Sequence, residues 1–123
     1  IYNLEENREF SKFTDQIFKQ LFSGEMSAVT SILTLTEILS FPATENVEED
    51  LIKDFTSTPN LITFETDQSI AVEAARIRRR YKYRLPDAVQ LATAKIGHAQ
   101  AFITNDDRLN KYKELKVIML NKI

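Results

Sequence analysis

The chain has 123 residues, 43% hydrophobic and 28% charged, which fits one domain around one core and excludes a wholly disordered protein. It has no cysteine, which rules out a disulfide scaffold, a thiolate metal site and a cysteine nucleophile, and accords with a reducing, cytoplasmic setting. A formal net charge of −2 carries no global nucleic-acid signature, so any surface for such a ligand has to be local.

Two glycines and three prolines favour long regular elements over a turn-rich barrel. No stretch approaches the ~20 continuous apolar residues of a membrane span, and no basic-then-apolar leader is evident. Phe10, Phe13, Ile17, Phe18 and Leu21 carry the spacing of a buried helical stripe, predicting a helix from about Glu5 to Phe22 that stops at Gly24. Ala28 to Leu33 is short and partly β-branched, and reads as a buried strand. Thr34-Leu35-Thr36-Glu37 offers a capping box for a short helix ended by Pro42. Val47 to Ser57 is a second helical pattern, with Glu48, Glu49 and Asp50 near its start, where the helix dipole favours them.

After Pro59, Leu61 to Phe64 reads as a strand. Asp67 is placed to cap a long helix whose stripe is Ile70, Ala74, Ile77 and Tyr81. Pro86 suits the first turn of the next helix, which carries Val89, Ala92 and Ile96 and closes at Gly97. Ala101 to Thr104 is a strand, Asp107 to Tyr112 a short helix and Lys116 to Leu120 a final strand. With no repeat or linker, residues 1–123 form one domain. The alternation predicts an α/β fold, a three-layer α/β/α sandwich about a mostly parallel central sheet.

In such sheets the active groups gather beyond the carboxyl ends of the strands. Glu37 follows the first strand by one short turn, Asn105, Asp106 and Asp107 follow the Phe102-Ile103 strand directly, and Asp87 opens a helix. Three acidic positions far apart in sequence are therefore placed to meet. Clustered carboxylates raise one another's pKa unless a cation neutralises them. Oxygen-only ligands select hard divalent ions, and such a site suits hydrolysis of a phosphodiester without a covalent nucleophile. Each acid has a structural alternative. Glu37 can simply complete the box with Thr34, and Asp87 is an ordinary first-turn acid after Pro86. Thr104-x-x-Asp107 is again a capping box, which makes Asp107 structural and Asp106 the chemical member of the pair.

Leu35-Thr36-Glu37-Ile38-Leu39, then Leu85-Pro86-Asp87-Ala88-Val89-Gln90-Leu91-Ala92-Thr93-Ala94, then Phe102-Ile103-Thr104-Asn105-Asp106 occur in order. Their content and spacing resemble the PIN-domain family over nearly the whole chain. The Pro-Asp-Ala…Ala-Thr-Ala helix and the Ile-Thr-Asn-Asp strand end are the specific parts. The resemblance implies a ribonuclease dependent on Mg²⁺ or Mn²⁺, in bacteria most often the VapC-type toxin of a toxin–antitoxin pair. It implies Glu37, Asp87 and Asp106 as catalytic, metal-binding acids, with Thr104 and Asn105 as polar support beside the last of them. It also implies RNA as substrate, an antitoxin protein as partner and a homodimer. One departure stands out. The family's opening strand bears an Asp and leads into a segment like Ile1-Tyr2, where this sequence begins, so the natural product is expected to extend a few residues upstream. Without that strand, the alternative is a catalytically inactive PIN-like module that binds RNA or a partner protein.

Arg76, Arg78, Arg79, Arg80, Lys82 and Arg84 place six bases within nine residues. Helical geometry sets Arg76, Arg79 and Arg80 along one side of the Ile70/Ala74/Ile77/Tyr81 stripe. They read either as cations suited to a helix C-terminus or as a grip on RNA phosphates. His98, the sole histidine, follows a helix end and reads as a helix-end cation; no serine triad or glycine-rich phosphate loop is present. A receiver-like phosphoacceptor domain shares the α/β alternation, but its acceptor Asp and late Lys are not in place. Phe10, Phe13, Phe18 and Phe22 read as core, with some available to an interface.

Overall fold

The computed structural model describes residues 8–40 and 44–120. Within them run α1 (Arg8–Ser23), β1 (Ala28–Ser31), α2 (Leu33–Leu39), α3 (Glu45–Ser57), β2 (Leu61–Phe64), α4 (Gln68–Tyr81), α5 (Leu85–Ile96), β3 (Ala101–Thr104) and β4 (Lys116–Met119). A 3₁₀ helix at Asp107–Lys111 joins the last two strands. The expectations for Glu5, for the Phe10 and Phe13 side chains and for Pro42 lie outside the described residues. No described helix is long and apolar enough to cross a membrane.

All the pairing among the described residues is parallel. β1 runs with β2 from Ala28↔Leu61 to Ser31↔Phe64, and β3 with β4 from Ala101↔Lys116 to Thr104↔Met119. The expected α/β architecture is thus present, with the strands of the described residues forming two two-stranded ladders. Parallel neighbours require a crossover. Helices α2 and α3 supply it for the first ladder, and the 3₁₀ helix for the second.

Local chemistry explains most boundaries. The Asp67 carboxylate accepts the Ile70 N–H at 2.9 Å and starts α4, while Pro86 sits in the first turn of α5, where no intrahelical N–H is needed. Thr44 caps α3 by accepting the Val47 N–H, so Glu45 and Glu48 are its first-turn acids. Gly24, at φ +82°, ends α1 in the left-handed conformation that glycine adopts freely.

Two expectations require correction. The Thr34/Glu37 capping box does not form. Helix α2 begins at Leu33, ahead of the Leu35 start that a Thr34 cap would give; the Leu33 N–H is accepted by Ser31 Oγ at 3.1 Å, and the Thr34 hydroxyl pairs instead with Thr30 at 2.7 Å. The α1 stripe is only partly buried: Leu21 is 3% exposed, whereas Phe18 and Phe22 are 43% and 66% exposed. Helical spacing identifies a face but not whether anything covers it.

The core lies where α4 meets α5. Ile70, Ala74 and Ile77 from α4 pack with Ala88, Val89, Leu91 and Ala92 from α5, closed by Leu109 and Tyr112. The alanines let the two backbones approach closely, and α5 also reaches β1 and β3. Gly97, at the end of α5, is required for space and not for backbone freedom, since its φ is −77°. A Cβ there would stand 2.9 Å from the Thr93 carbonyl oxygen, 3.2 Å from Phe64 and 3.4 Å from Val29. The left-handed residue that follows is His98, at φ 58°.

Gly97→Ala should therefore destabilise the fold by ~1–3 kcal/mol, the usual cost of overpacking, measured as a lower urea midpoint with an unchanged slope. Tyr112 provides a second test. It is 2% exposed, and its hydroxyl has no hydrogen-bond partner among the described residues. Burial, aided by the Glu114 charge, pushes its pKa up to about 12 from 10. The folded state holds this proton more tightly than the unfolded chain does. That contribution is complete below pH 10 and is lost as pH rises through about 12. Tyr112→Phe should match or exceed the wild-type stability at pH 7, by up to ~1–2 kcal/mol, and should lose less stability between pH 10 and 12 in chemical denaturation series.

Candidate active site

Strand β3 ends at Thr104, and its hydroxyl turns back to accept the Asp106 N–H at 3.0 Å. This contact sets the Asp106 carboxylate at the entry to the 3₁₀ helix, where it accepts the Arg108 N–H at 3.0 Å. The capping role expected of Asp107 thus belongs to Asp106, and Asp107 is exposed. The structural contact that the sequence assigned to Asp107 is therefore made by Asp106.

The Arg108 guanidinium folds back onto the same carboxylate. Its Nε donates to Oδ1 at 3.0 Å and its Nη2 to Oδ2, a two-pronged, charge-assisted contact. That Nη2 also lies 3.8 Å from Asp87 Oδ2. Asp87 stands in the first turn of α5, with Arg84 Nε 3.6 Å away. Two aspartates nineteen residues apart in sequence, Asp87 and Asp106, therefore share one cation. The hydrogen bonds from Arg108 hold the Asp106 carboxyl below the usual carboxylate range, against a smaller opposing effect of burial. The Tyr83 hydroxyl moves the other way, raised first by burial and then by the charges of Tyr81, Asp106 and Asp87.

Glu37 lies on α2, exposed, and connects to α5 through Gln90. Gln90 Nε2 donates to Thr34 Oγ1 at 2.9 Å and to Glu37 Oε1 at 3.3 Å, while its Oε1 accepts the Ser31 N–H at 3.4 Å. Because Ala28 and Ile32 direct their N–H groups at the Asn60 and Phe64 carbonyls, the Ser31 N–H points away from β2. Gln90 thus meets the edge of β1 that faces away from β2 while orienting Glu37. Asn105 is exposed beside Asp106.

A hard divalent ion takes one or two carboxylates and completes its shell with water. Asp87 and Asp106 have that donor chemistry, and their carboxylates already draw one cation, the Arg108 guanidinium, to the spot. Glu37 does not join them: among the described residues, no three carboxylate or imidazole groups gather closely enough to hold one ion.

Of the bases expected on one side of the α4 stripe, Arg76 and Arg80 reach one ion-pair network. Arg76 turns to Glu73 at 3.4 Å, and Arg80 to Glu114 at 3.9 Å. Both acids are bridged by Lys95 Nζ, at 3.1 and 2.6 Å, and these hydrogen bonds raise the lysine's pKa. Beside Asp87, by contrast, lies a cavity of about 200 Å³ rimmed by Lys82, Arg84, Arg108 and Lys111. Tyr81 and Tyr83 form its wall, with ring centroids 5.3 Å apart and planes 8° from parallel. Sequence reasoning missed Gln90, Arg108, Lys111 and the tyrosine pair. The one available signal was a basic residue two positions after Asp106.

An α/β domain with parallel ladders, and with acids gathered where one strand ends and a helix begins, defines a class with its site at the carboxyl side of the strands. The family model described as PIN domain matches residues 2–115, and the chain belongs to that family. Among solved structures it is similar to a toxin–antitoxin complex from Klebsiella pneumoniae, at 26% identity and a TM-score of 0.59 over 73% of this chain and 71% of that one. A search of curated proteins gives no match.

Gln90→Met, close in size but without the amide, should cost ~1–3 kcal/mol by leaving the Ser31 N–H unpaired at a fully buried residue. Urea unfolding measures this, and an unchanged midpoint would mean that the edge contact contributes nothing.

Proposed function

We propose that this chain is a metal-dependent endoribonuclease acting in the cytoplasm as the toxin of a toxin–antitoxin pair. The observation that carries the reading is the convergence of Asp87 and Asp106 on a single cation in a PIN-domain chain. The toxin–antitoxin complex from Klebsiella pneumoniae supports the biological role. Asp87 and Asp106 would hold Mg²⁺ or Mn²⁺. When bound, the ion would activate water and neutralise charge on the scissile phosphate and the leaving oxygen.

The side chains have separate tasks in this reading. Thr104 fixes the Asp106 backbone, and Asn105, exposed next to it, is free to meet substrate. Glu37, held through Gln90, is the third acid and, exposed and outside the aspartate pair, would meet substrate or solvent. Arg84 and Arg108 offset the aspartates' charge and lie where a phosphate would approach. Arg79 would add long-range attraction for RNA, whereas Arg76 and Arg80 are engaged by Glu73 and Glu114. The expected partners are an antitoxin protein and a second copy of the chain; the exposed Phe18 and Phe22 give α1 apolar surface for such contacts.

One observation favours a second reading, that of a binding module without catalysis: Glu37 stands outside the aspartate pair. Cleavage of a labelled structured RNA separates the two. The nuclease reading expects cleavage with Mg²⁺ or Mn²⁺, none with EDTA, and a loss in Asp87→Asn and Asp106→Asn exceeding the ~10–100-fold that an outer partner of a metal ligand costs. Inertness with every metal, together with no Mn²⁺ binding that depends on the aspartates, would leave the module reading.

A further inference from the structure

We propose that the cavity beside Asp87 is a subsite for one RNA nucleotide next to the scissile bond, with Lys82 and Lys111 taking its phosphate and Tyr83 its base. This rests on the nuclease reading for its substrate, whereas the charge and rigidity of the cavity stand independently of it.

Four cations and one carboxylate line a space of about 200 Å³ in a chain whose net charge is −2. The arginines are already engaged, Arg84 with Asp87 and Arg108 with both aspartates. Among the described residues no carboxylate lies within 4 Å of Lys82 or Lys111, so none of them neutralises the charge on this rim. An anion is the complementary ligand. The wall specifies which kind. Tyr83 stacks on Tyr81, and both hydroxyls are anchored to the β3–β4 connection, Tyr83 donating to the Arg108 carbonyl at 3.1 Å and Tyr81 accepting the Lys113 N–H at 3.3 Å. A fixed aromatic wall beside unpaired lysines is the pairing that single-stranded nucleic acid uses, with bases on rings and phosphates on cations. Its position against Asp87 sets the bound nucleotide immediately beside the candidate cut.

Binding can be read apart from cleavage, as anisotropy of a fluorescein-labelled oligouridine hexamer in EDTA. Lys82→Asn/Lys111→Gln is the informative variant, because asparagine adopts the left-handed backbone that Lys82 occupies at φ 62°; circular dichroism checks its fold. The slope of log K against log salt should fall by about 0.7, the value for the one phosphate that the two lysines no longer neutralise. A hexamer with abasic positions should bind the wild type at least about five-fold more weakly than the intact one, and the gap should close in Tyr83→Leu. An unchanged salt slope, or an abasic penalty that persists in Tyr83→Leu, overturns the subsite. If the hexamer responds as expected but no RNA is cut with any metal, the subsite stands and the nuclease reading falls. Cleavage that needs the aspartates, with binding indifferent to both lysines, gives the reverse.

Discussion

Helix α5 is the constraint on which the other features depend. Its alanines let α4 approach closely, and its remaining faces reach β1 and β3, so two ladders that share no hydrogen bond are held to one scaffold. The same helix carries the chemistry. Asp87 lies in its first turn, Gln90 one turn later supports Glu37 and the edge of β1, and Lys95 near its end joins Glu73 and Glu114. Burial on one stripe fixes the rotation of the helix, and that rotation decides where each polar side chain emerges. Packing and site are for this reason not separable: a change that rotates α5 moves Asp87 and Gln90 together.

Electrostatically, the molecule divides its charges into two sets. On the α4–α5 flank, Arg76, Arg80 and Lys95 are balanced by Glu73 and Glu114, with Glu73 buried enough that it needs those partners. Around the opening of α5 the balance is incomplete: the two aspartates are matched by two arginines, and the lysines on the rim are left over. A balanced network contributes to holding elements together, whereas a surplus of one sign provides a field for a ligand. The basic run counted in the sequence is therefore two populations with different work, divided by the end of α4.

Much of this was legible in the sequence, and the parts that were not share a cause. The strands at Leu61–Phe64 and Ala101–Thr104, the Asp67 cap and Pro86 in a first turn all follow from local preferences that tertiary packing has no reason to override. Asp87 and Asp106 could be singled out from the chain order of the motifs. The failures came where a short polar side chain had several possible partners. Thr34 had a capping position available but took Thr30 and Gln90, and Asp106 took the capping role expected of Asp107. Choices of this kind are made by neighbours distant in sequence. The same holds for Phe18 and Phe22, whose spacing is that of a core stripe but whose cover is absent among the described residues.

The way Arg108 is held has a kinetic consequence. Its backbone is fixed at both ends, the N–H on Asp106 and the carbonyl under the Tyr83 hydroxyl, whereas its side chain is 58% exposed and held only by the carboxylates it spans. Replacing that guanidinium by another cation calls for rotation about side-chain bonds and no movement of the loop. Such rotations in exposed side chains occur within picoseconds to nanoseconds, so exchange at the carboxylates would be limited by the arrival of the incoming ion and the shedding of its water, with no slow opening step in the protein.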